Sequence, residues 1–397
     1  MHALCFGGFT VNEDVLKTLS EEEKRRTKHP YWIYESIQQI PELLSACLSN
    51  DVRSQIKHVV DAFEKRKIKK VVLLGRGSSY FLTLSLNYLF QKLTDISTKS
   101  YLTNILEQYF SDGLDEQTAV FFHSTSGKSE GDKLVVDLAR EKGAYTIGVT
   151  DIEGSTLSKA VDDVIIGPGG AKVELPATRT YATALFRMSL FVVELAKRFG
   201  NKKKAEEYEK ALQKLPELLE KFMPAWEKQA SSVISTIEKC SAFFVIGYGP
   251  NLSTADETAL AFGQCGGVAT MPFELENFIH GPIQFLSKEM GVVLFAPDGP
   301  LQDRALRAVM AAKKIGATTL VVAPSSIKKI PYADKVITMP EDIPDDLSPI
   351  MYMVPMWQMA YELGQLGRGG HPDRLSMDKE EFKAGMNYLM KQDKWVA

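Results

Sequence analysis

Residues 71–79, VVLLGRGSS, decide the fold, because residues 243–251, FFVIGYGPN, repeat their pattern at an offset of 172 positions. The repeat places Gly75 opposite Gly247, each in a glycine turn that follows an apolar run. Two further pairs of segments share the offset, since VFFHSTSG matches VVLFAPDG and DDVII matches DKVIT. A period of this length is far too long for a solenoid repeat, so we infer a duplicated domain.

Short apolar runs alternate with helix-length segments in each copy. The runs lie at residues 71–74, 120–122, 146–149 and 164–166, and again at 243–246, 292–295, 319–322 and 336–338. Continuous apolar runs of this length are typical of strands buried on both faces of a parallel sheet. Their alternation with helices predicts right-handed βαβ units. The sequence therefore predicts an α/β protein of two tandem domains, each a doubly wound parallel sheet flanked by helices.

The chain of 397 residues is long enough for two such domains. We expect a domain order that begins with an N-terminal helical segment and ends with a tail. The predicted segments are residues 1–50 (helical), 51–200 (first domain, anion-binding), 201–229 (charge-rich helical connector), 230–370 (second domain) and 371–397 (C-terminal tail).

The composition is that of an ordinary globular protein, with 45% hydrophobic and 24% charged residues. A net charge of −3 gives no reason to expect a nucleic acid as partner. No apolar run reaches the roughly 18 residues of a membrane span, and the N-terminus lacks the basic-then-apolar order of a signal peptide. We therefore expect a cytoplasmic protein that binds neither nucleic acid nor membrane.

The four cysteines, Cys5, Cys47, Cys240 and Cys265, are scattered along the chain. They form no CxxC pair, and no histidine stands near them at metal-ligand spacing. Buried or incidental reduced thiols are the expected interpretation. The sequence thus predicts no metal site, and it contains no recognisable cofactor motif.

The serine-rich turn HSTSGKSEGD, residues 123–132, is the strongest chemical signal in the chain. It follows the second predicted strand of the first copy, and ligands of parallel α/β sheets bind beyond the carboxyl ends of the strands. Ser124, Thr125 and Ser126 offer hydroxyls and backbone N–H groups, while Lys128 adds a positive charge. This combination predicts an anion-binding site.

Two other interpretations of the turn explain its residues less completely. A Walker P-loop would need a glycine at Phe122, so the turn is not of that kind. Ser129 with Asp132 three residues later fits a helix N-cap, but capping does not explain the three preceding hydroxyls. The matching APDGP turn of the second copy lacks hydroxyls. We therefore predict that only the first copy holds the anion, with Ser78 and Ser79 facing the same crevice.

The motifs GRGSSY, STSGKSEGD and ELPATRTYATALF resemble the sugar isomerase (SIS) fold of phosphosugar enzymes, such as the isomerase half of glucosamine-6-phosphate synthase. The resemblance continues through YGPNLSTADETALAF and ENFIHGPIQF, and covers roughly residues 29–377. The lysine after SG, the stretch VPMWQMAYELG and the late GHPDR most resemble the fructosamine 6-phosphate deglycases. The resemblance implies two SIS domains and a 6-phosphorylated sugar as ligand.

The resemblance also implies roles for particular residues. Ser79, Ser124, Ser126 and Ser129 match the hydroxyls on which the family holds the 6-phosphate. His280, in the IHGP segment, matches a histidine that opens the sugar ring, a task that suits imidazole because it exchanges protons near neutral pH. Family dimers often supply this histidine across the subunit interface, which implies a homodimer with shared active sites.

The family's proton-transfer apparatus is altered in this chain. Gln264 stands where the family has its glutamate base, 16 residues before the histidine, whereas Glu257 matches a second family glutamate. Glu257 and Gln264 are seven residues apart, so we expect them on one helix face, where burial would raise the pKa of Glu257. Glu257 is the predicted base, with a structural carboxylate as the alternative, and Gln264 is a predicted substrate contact. Glu274 is the reserve base, unless it is a solvated loop charge.

A lysine near the C-terminus of the synthase assists ring opening. Its position falls at about Met377 in this chain, where no lysine stands. Lys379, two positions later, is the remaining candidate for this contact. The chain then continues to Ala397 in a tail of helical pattern.

Three functions remain open at this point. The leading one is an aldose–ketose isomerase that acts through an enediol on a hexose with an anionic C6 group, a phosphate or a sulfonate. The second is a deglycase or deaminase of an amino-sugar 6-phosphate. The third is a non-catalytic sugar-phosphate sensor, against which His280 and Glu257 stand. Fold likeness alone does not separate them.

Overall fold

The computed structural model describes residues 26–172, 174–327, 330–367, 371–373 and 379–390. It contains two five-stranded sheets in which every neighbouring pair of strands is parallel. The strands are β1 (Lys70–Gly75), β2 (Ser97–Leu102), β3 (Thr118–His123), β4 (Tyr145–Thr150), β5 (Asp163–Ile166), β6 (Ala242–Gly247), β7 (Ala269–Glu274), β8 (Met290–Phe295), β9 (Thr318–Pro324) and β10 (Lys335–Met339).

Both sheets have the same strand order. The first runs β2-β1-β3-β4-β5 and the second β7-β6-β8-β9-β10, so each chain-order reversal lies beside the first strand of its copy. The strands β1 and β6 begin at residues 70 and 242, which keeps the offset of 172 seen in the sequence. The prediction of two tandem doubly wound α/β domains is confirmed. Ligands of such sheets bind where the strand order reverses, here between β1 and β3.

The sequence did not predict β2 or β7, which form one edge of each sheet, although it did predict β5 and β10 at the opposite edges. No side chain of β2 or β7 is fully buried, and β2 reads STKSYL. Since an edge strand has a neighbour on one side only, it need not carry a continuous apolar run, and β2 carries none.

Helices flank the two sheets. The α-helices are α1 (Trp32–Gln38), α2 (Ile40–Cys47), α3 (Asn50–Arg66), α4 (Ser78–Leu93), α5 (Thr103–Ile105), α6 (Glu130–Glu141), α7 (Thr156–Ala160), α8 (Arg179–Phe199), α9 (Lys202–Ile237), α10 (Leu252–Ala261), α11 (Leu275–Ile279), α12 (Gln302–Ile315), α13 (Ser348–Gln365) and α14 (Glu380–Met390). Two π-helical turns, Leu106–Phe110 and Phe262–Gly266, extend α5 and α10.

The two copies share one core. Helix α9 runs through the predicted connector and packs along α13 and α8, and Trp226 and Trp357 are fully buried there. Helices α4 and α10, which follow the glycine turns of the two copies, pack on each other. The Ser85 hydroxyl of α4 donates to the Pro250 carbonyl at 2.9 Å. The equivalent ends of β1 and β6 are thereby brought near one another.

Three cysteines, Cys47, Cys240 and Cys265, are buried thiols, while Cys5 lies outside the described residues. Burial raises the pKa of the Cys47 thiol to about 12. Within the described part of the chain, no three His, Cys, Asp or Glu side chains stand close enough to hold a metal ion. None of the helices described there combines the length and apolar character needed to cross a membrane.

Candidate active site

A cavity of about 440 Å³ opens beyond the carboxyl ends of β1 and β3. Its wall consists of the serine turn, the glycine turn and a loop that follows β5. The residues that line it include Arg76, Ser79, His123, Ser124, Thr125, Ser126, Lys128, Lys172 and Glu174. The structure thus brings five of the sequence-predicted substrate-binding residues, Ser79, Ser124, Thr125, Ser126 and Lys128, around one space.

The serine turn is fixed by backbone hydrogen bonds to the neighbouring strand. The Ser124 N–H donates to the Val149 carbonyl at 3.0 Å, and the Asp151 N–H donates to the Thr125 carbonyl at 3.1 Å. Gly127 has φ of +60° and no room for a side chain, because a Cβ there would meet the Ser155 hydroxyl. Ser124, Thr125 and Ser126 all line the cavity. The turn, called the cradle below, is therefore held in place at the cavity wall.

The glycine turn brings a second cation to the cradle. Gly75 allows α4 to approach β1 closely, because a Cβ there would lie 2.3 Å from the Ser79 carbonyl oxygen. Arg76 lies in the cavity wall and forms an ion pair with Asp132 at 2.9 Å. Asp132 is in the first turn of α6, and burial raises the pKa of its carboxyl against the opposing charge of Arg76.

His123 is a buried wall residue whose imidazole is neutral. Its Nδ1 lies 3.0 Å from the Leu74 carbonyl oxygen, so Nδ1 carries the proton and donates it. Burial lowers the pKa of His123 to about 4. The side chain therefore contributes no charge to the cavity at neutral pH.

Residues 170–172, 174 and 175 line the other side of the cavity. Glu174 is buried, and its Oε1 accepts the Ser36 hydroxyl of α1 at 2.7 Å. The Leu175 N–H donates to the Asp373 carbonyl at 2.7 Å, so the late GHPDR segment also fixes the loop. Lys172 donates to the carbonyls of Leu175 and Pro176. Segments from both ends of the chain thus shape this wall.

Glu257 lies on α10, next to the start of α4, with only 1% of its surface exposed. Its Oε1 accepts the Ser78 hydroxyl at 3.1 Å, and its Oε2 is buried without a hydrogen bond. Burial raises the pKa of Glu257 to about 8, against the Ser78 hydrogen bond and the positive charge of Lys172. The sequence had placed Ser78 in the crevice, but its hydroxyl points to Glu257, while Ser79 lines the cavity.

Gln264 does not continue the helix face of Glu257 as the sequence predicted. Helix α10 ends at Ala261, and Gln264 lies in the following π-helical turn, Phe262–Gly266. A π-turn holds more residues than an α-turn, so a spacing of seven no longer returns to the same face. Gln264 is half-buried and is not among the cavity-lining residues.

His280 and Glu274 flank α11 in the second copy, away from the cavity wall. The His280 side chain is 77% exposed and lies 3.6 Å from Glu276. Phe285, in the same segment, is 70% exposed. The Glu274 carboxylate caps α11, because it accepts the Glu276 and Asn277 N–H groups at 2.7 and 3.2 Å. The Glu274 carboxylate is therefore a helix cap in this structure, whereas the sequence offered it as the reserve base.

Ser129 and Lys379 also lie outside the cavity wall. Ser129 caps α6, since its hydroxyl oxygen accepts the Asp132 N–H at 3.4 Å, as the capping interpretation predicted. Its hydroxyl proton remains able to donate at the same time. Lys379 is exposed and directly precedes α14. Met377, the position of the synthase lysine, lies outside the described residues.

The equivalent crevice of the second copy is filled by its own side chains. The Tyr248 hydroxyl donates to the Pro297 carbonyl at 3.2 Å. The Gln302 amide donates to the carbonyls of Ala296 and Pro297 at 3.3 and 3.0 Å. Because these bonds hold the APDGP turn from within, it presents no cradle comparable to that of the first copy.

Sequence reasoning missed Arg76, Lys172 and Glu174 as wall residues. Arg76 had a visible signal, since a charged residue between the two glycines of GRG stands at the end of a buried strand. Glu174 opens the motif ELPATRTYATALF, which the sequence analysis quoted without giving this residue a role. Lys172 had no signal, because its segment is held at the cavity by contacts of its neighbours with α1 and Asp373.

Part of the chain, including most of the cavity-lining residues, is similar to a known protein family. Residues 66–194 match the SIS domain, so the resemblance seen in the sequence is confirmed for the copy that carries the cradle. A glutamine–fructose-6-phosphate aminotransferase (isomerizing) from Thermococcus kodakarensis is 26% identical over 355 residues, which is 89% of this chain. The chain spans only 58% of the length of that relative.

Solved structures share the fold at low sequence identity. The C-terminal domain of glucosamine-fructose-6-phosphate aminotransferase from Francisella tularensis superposes with a TM-score of 0.77 at 17% identity, over 87% of this chain and 99% of that one. Tagatose-6-phosphate ketose/aldose isomerase from Escherichia coli gives 0.70 at 16%, over 88% and 96%. Both sheets of this chain therefore share the fold of these structures.

Proposed function

We propose that this protein, whose residues 66–194 match the SIS domain, is an aldose–ketose isomerase acting on a hexose that carries an anionic group at C6. The observation that carries the proposal is the cavity between β1 and β3, which is lined by four hydroxyl side chains and three cations. Hydroxyls, backbone N–H groups and cations together suit a phosphate or a sulfonate. The names of the relatives, which include sugar-phosphate isomerases, support the choice of a sugar.

The cradle would hold the C6 group and so fix the position of the sugar chain. Ser79, Ser124 and Ser126 would donate to the anion oxygens, and Lys128 would supply charge. Anchoring the inert end of the substrate holds its C1–C2 edge in one place, which removes much of the entropic cost of the reaction.

Glu257 would move the proton between C2 and C1. As a carboxylate it takes the C2 proton of the open-chain aldose, which leaves an enediol, and the same proton returns to C1 to give the ketose. A pKa of about 8 makes Glu257 a stronger base than an ordinary carboxylate. Lys172, which lines the cavity, lies close enough to influence the charge of both Glu257 and Glu174.

His280 would open the sugar ring from a second subunit. In a single chain this imidazole is largely exposed and outside the cavity wall, so it needs a partner to be useful there. A homodimer with two-fold symmetry would supply it in both sites. The neighbouring exposed Phe285 gives the same segment an apolar side chain for such an interface.

A panel of C6-phosphorylated and C6-sulfonated hexoses in deuterated water tests the proposal. Deuterium at C2 together with ketose formation supports an isomerase. The second candidate, a deglycase or deaminase, is favoured by the lysine of the serine turn and the GHPDR segment, and it would release an amine from fructosamine 6-phosphates. Binding without exchange or cleavage would contradict both and favour a sensor.

A further inference from the structure

We propose that Trp357 is a positioning residue for the proposed base: its indole N–H binds the Glu257 carboxylate and favours the ionised form, which can take a proton from the substrate. Because Glu257 is the base only under the proposed function, this inference rests on that function.

Three buried polar atoms lie around Glu257, on three different helices. Trp357 of α13 is completely buried, and Tyr181 of α8 is only 2% exposed. Among the described residues, Glu257 Oε2, Trp357 Nε1 and the Tyr181 hydroxyl have no hydrogen bond of full geometry. Buried polar groups in folded proteins are nearly always paired, because an unpaired one costs free energy. An acceptor and two donors thus lie unpaired in the same part of the core.

The indole N–H faces the Glu257 carboxyl. The Tyr181 ring packs edge-on against the Trp357 ring, with centroids 5.7 Å apart and an angle of 80° between the planes, which fixes the orientation of the indole. Burial raises the pKa of Glu257 to about 8, while the Ser78 hydroxyl, the charge of Lys172 and the Trp357 N–H act to lower it. The N–H is therefore close enough to act on the carboxyl, and a small movement would complete the hydrogen bond.

The chemistry of the two groups decides which form of Glu257 this contact favours. The indole N–H donates and cannot accept a hydrogen bond. The Ser78 hydroxyl already donates to Oε1 at 3.1 Å, so Oε2 is the oxygen left for Trp357. A donor on this oxygen stabilises the carboxylate more than the carboxylic acid. Donors from α4 and α13 would then hold the carboxylate in one orientation.

The other titratable groups near Glu257 belong to several elements. Lys172, in the segment after β5, and Asp256, on the same helix, act on Glu257 with opposite charges. Tyr181 of α8 and Cys265 of the π-helical turn also interact with it, and burial raises the pKa of both, which keeps them neutral near pH 8. Replacing the indole alters none of these groups, so its effect on Glu257 can be measured separately.

Nuclear magnetic resonance of the ligand-free protein tests the contact without any need for activity. The chain has four tryptophans, so ¹⁵N labelling of this residue type gives few indole signals. The Trp357 signal should shift with a midpoint near pH 8, and the shift should disappear in Glu257→Gln. Trp226 is the matched control, because it is equally buried and its N–H donates to the Thr338 carbonyl at 2.8 Å. Its signal, which Trp226→Phe identifies by its loss, should not titrate.

Trp357→Phe removes the N–H donor and keeps an aromatic ring. The pH midpoint of kcat/KM for C2 proton exchange should rise by about one unit, so that the rate at pH 6.5 falls about tenfold while the rate at pH 9.5 stays nearly the same. KM should change little. Trp226→Phe also removes a fully buried indole, so it should lower the melting temperature but leave the pH midpoint in place.

The outcomes separate this inference from the proposed function. A Trp357 signal that does not titrate, or that titrates equally in Glu257→Gln, would overturn the inference. An unchanged pH midpoint in a folded Trp357→Phe protein would do the same. If Trp357→Phe does not fold, the titration in the unaltered protein decides. If that titration appears as expected but the unaltered protein exchanges no C2 proton on any sugar of the panel, the contact is confirmed and the proposed isomerase function is wrong.

Discussion

The Ser78 hydroxyl donates to Glu257 Oε1 at 3.1 Å and thereby joins the two copies of the fold at their equivalent helices. Ser78 is the first residue of α4 and Glu257 lies in α10, the corresponding helix of the second copy. The next residue, Ser79, lines the cavity. Ser79, a proposed anion anchor, thus directly follows the serine that is hydrogen-bonded to the proposed base. A shift of α4 on ligand binding would act on both.

Lys128→Ala should raise the KM for the native substrate by a factor of roughly ten to a hundred, because a charge-assisted contact contributes about 1.5–3 kcal/mol. Steady-state kinetics with a substrate that carries the C6 anion and with a neutral hexose measure the effect. The neutral hexose should show little change. Lys133→Ala, which removes a surface lysine from the following helix α6, is the control. Equal losses on both sugars would show that Lys128 is structural.

Dimers that combine two different impaired variants should be more active than either variant alone. Lys128→Ala and His280→Ala each disable one half of a shared site, so a mixed dimer should contain one site with both residues intact. Mixing after subunit exchange, followed by an activity assay, measures the recovery. Mass spectrometry of differently labelled subunits controls for exchange. No recovery despite exchange would mean that each site is built within one chain.

Glu257→Gln should abolish exchange of the C2 proton while ligand affinity stays nearly unchanged. In the unaltered enzyme, kcat/KM should rise with pH through about 8, because only the ionised carboxyl accepts a proton. Deuterium incorporation followed by NMR across pH 6 to 9.5 measures both. Asp256→Asn is the neighbouring control on the same helix. Exchange that survives Glu257→Gln but is lost in Glu174→Gln would transfer the role of base to the cavity-lining Glu174.

The free energy of unfolding should depend on pH through the Glu257 carboxyl. The pKa of Glu257 rises from 4.5 in the unfolded chain to about 8 in the folded one, so the folded form binds its proton more tightly. The stabilisation that the protonated Glu257 carboxyl gives the folded state is therefore fully present below pH 4.5 and is lost as pH rises through 8. Relative to the unaltered protein, Glu257→Gln should become progressively more stable between pH 5 and 9. Urea unfolding at several pH values measures this, and a pH-independent difference would contradict the raised pKa.

Gln264→Glu restores the family glutamate and tests what the glutamine does. If the chain is a drifted enzyme of the usual kind, turnover of hexose or fructosamine 6-phosphates should rise. We expect a loss of native activity instead, because a negative charge in the π-helical turn that follows α10 would oppose the ionisation of the buried Glu257 even though the two side chains do not share a helix face. Assays on both substrate classes with the single and the Glu257→Gln double variant measure the result. A gain in the double variant would identify position 264 as the site of the base.

The sequence by itself determined the architecture and singled out the serine turn that lines the cavity. Apolar runs at a fixed offset specify strands because a strand covered on both faces needs them, and the serine turn is contiguous in the chain. The edge strands β2 and β7 were not predicted, because no side chain of either is fully buried. STKSYL, and ATMPFE with its proline, carry no pattern that separates them from loops.

Only the tertiary structure decided which polar groups meet. It turned Ser78 toward Glu257 and assigned Glu274 to a helix end, and it left His280 exposed. It also brought Arg76 to Asp132 across 56 positions of sequence. Burial, and the electrostatic shift that follows from it, depends on contacts between distant segments. No local spacing encodes those contacts, so the charge of the cavity could not be read from the chain.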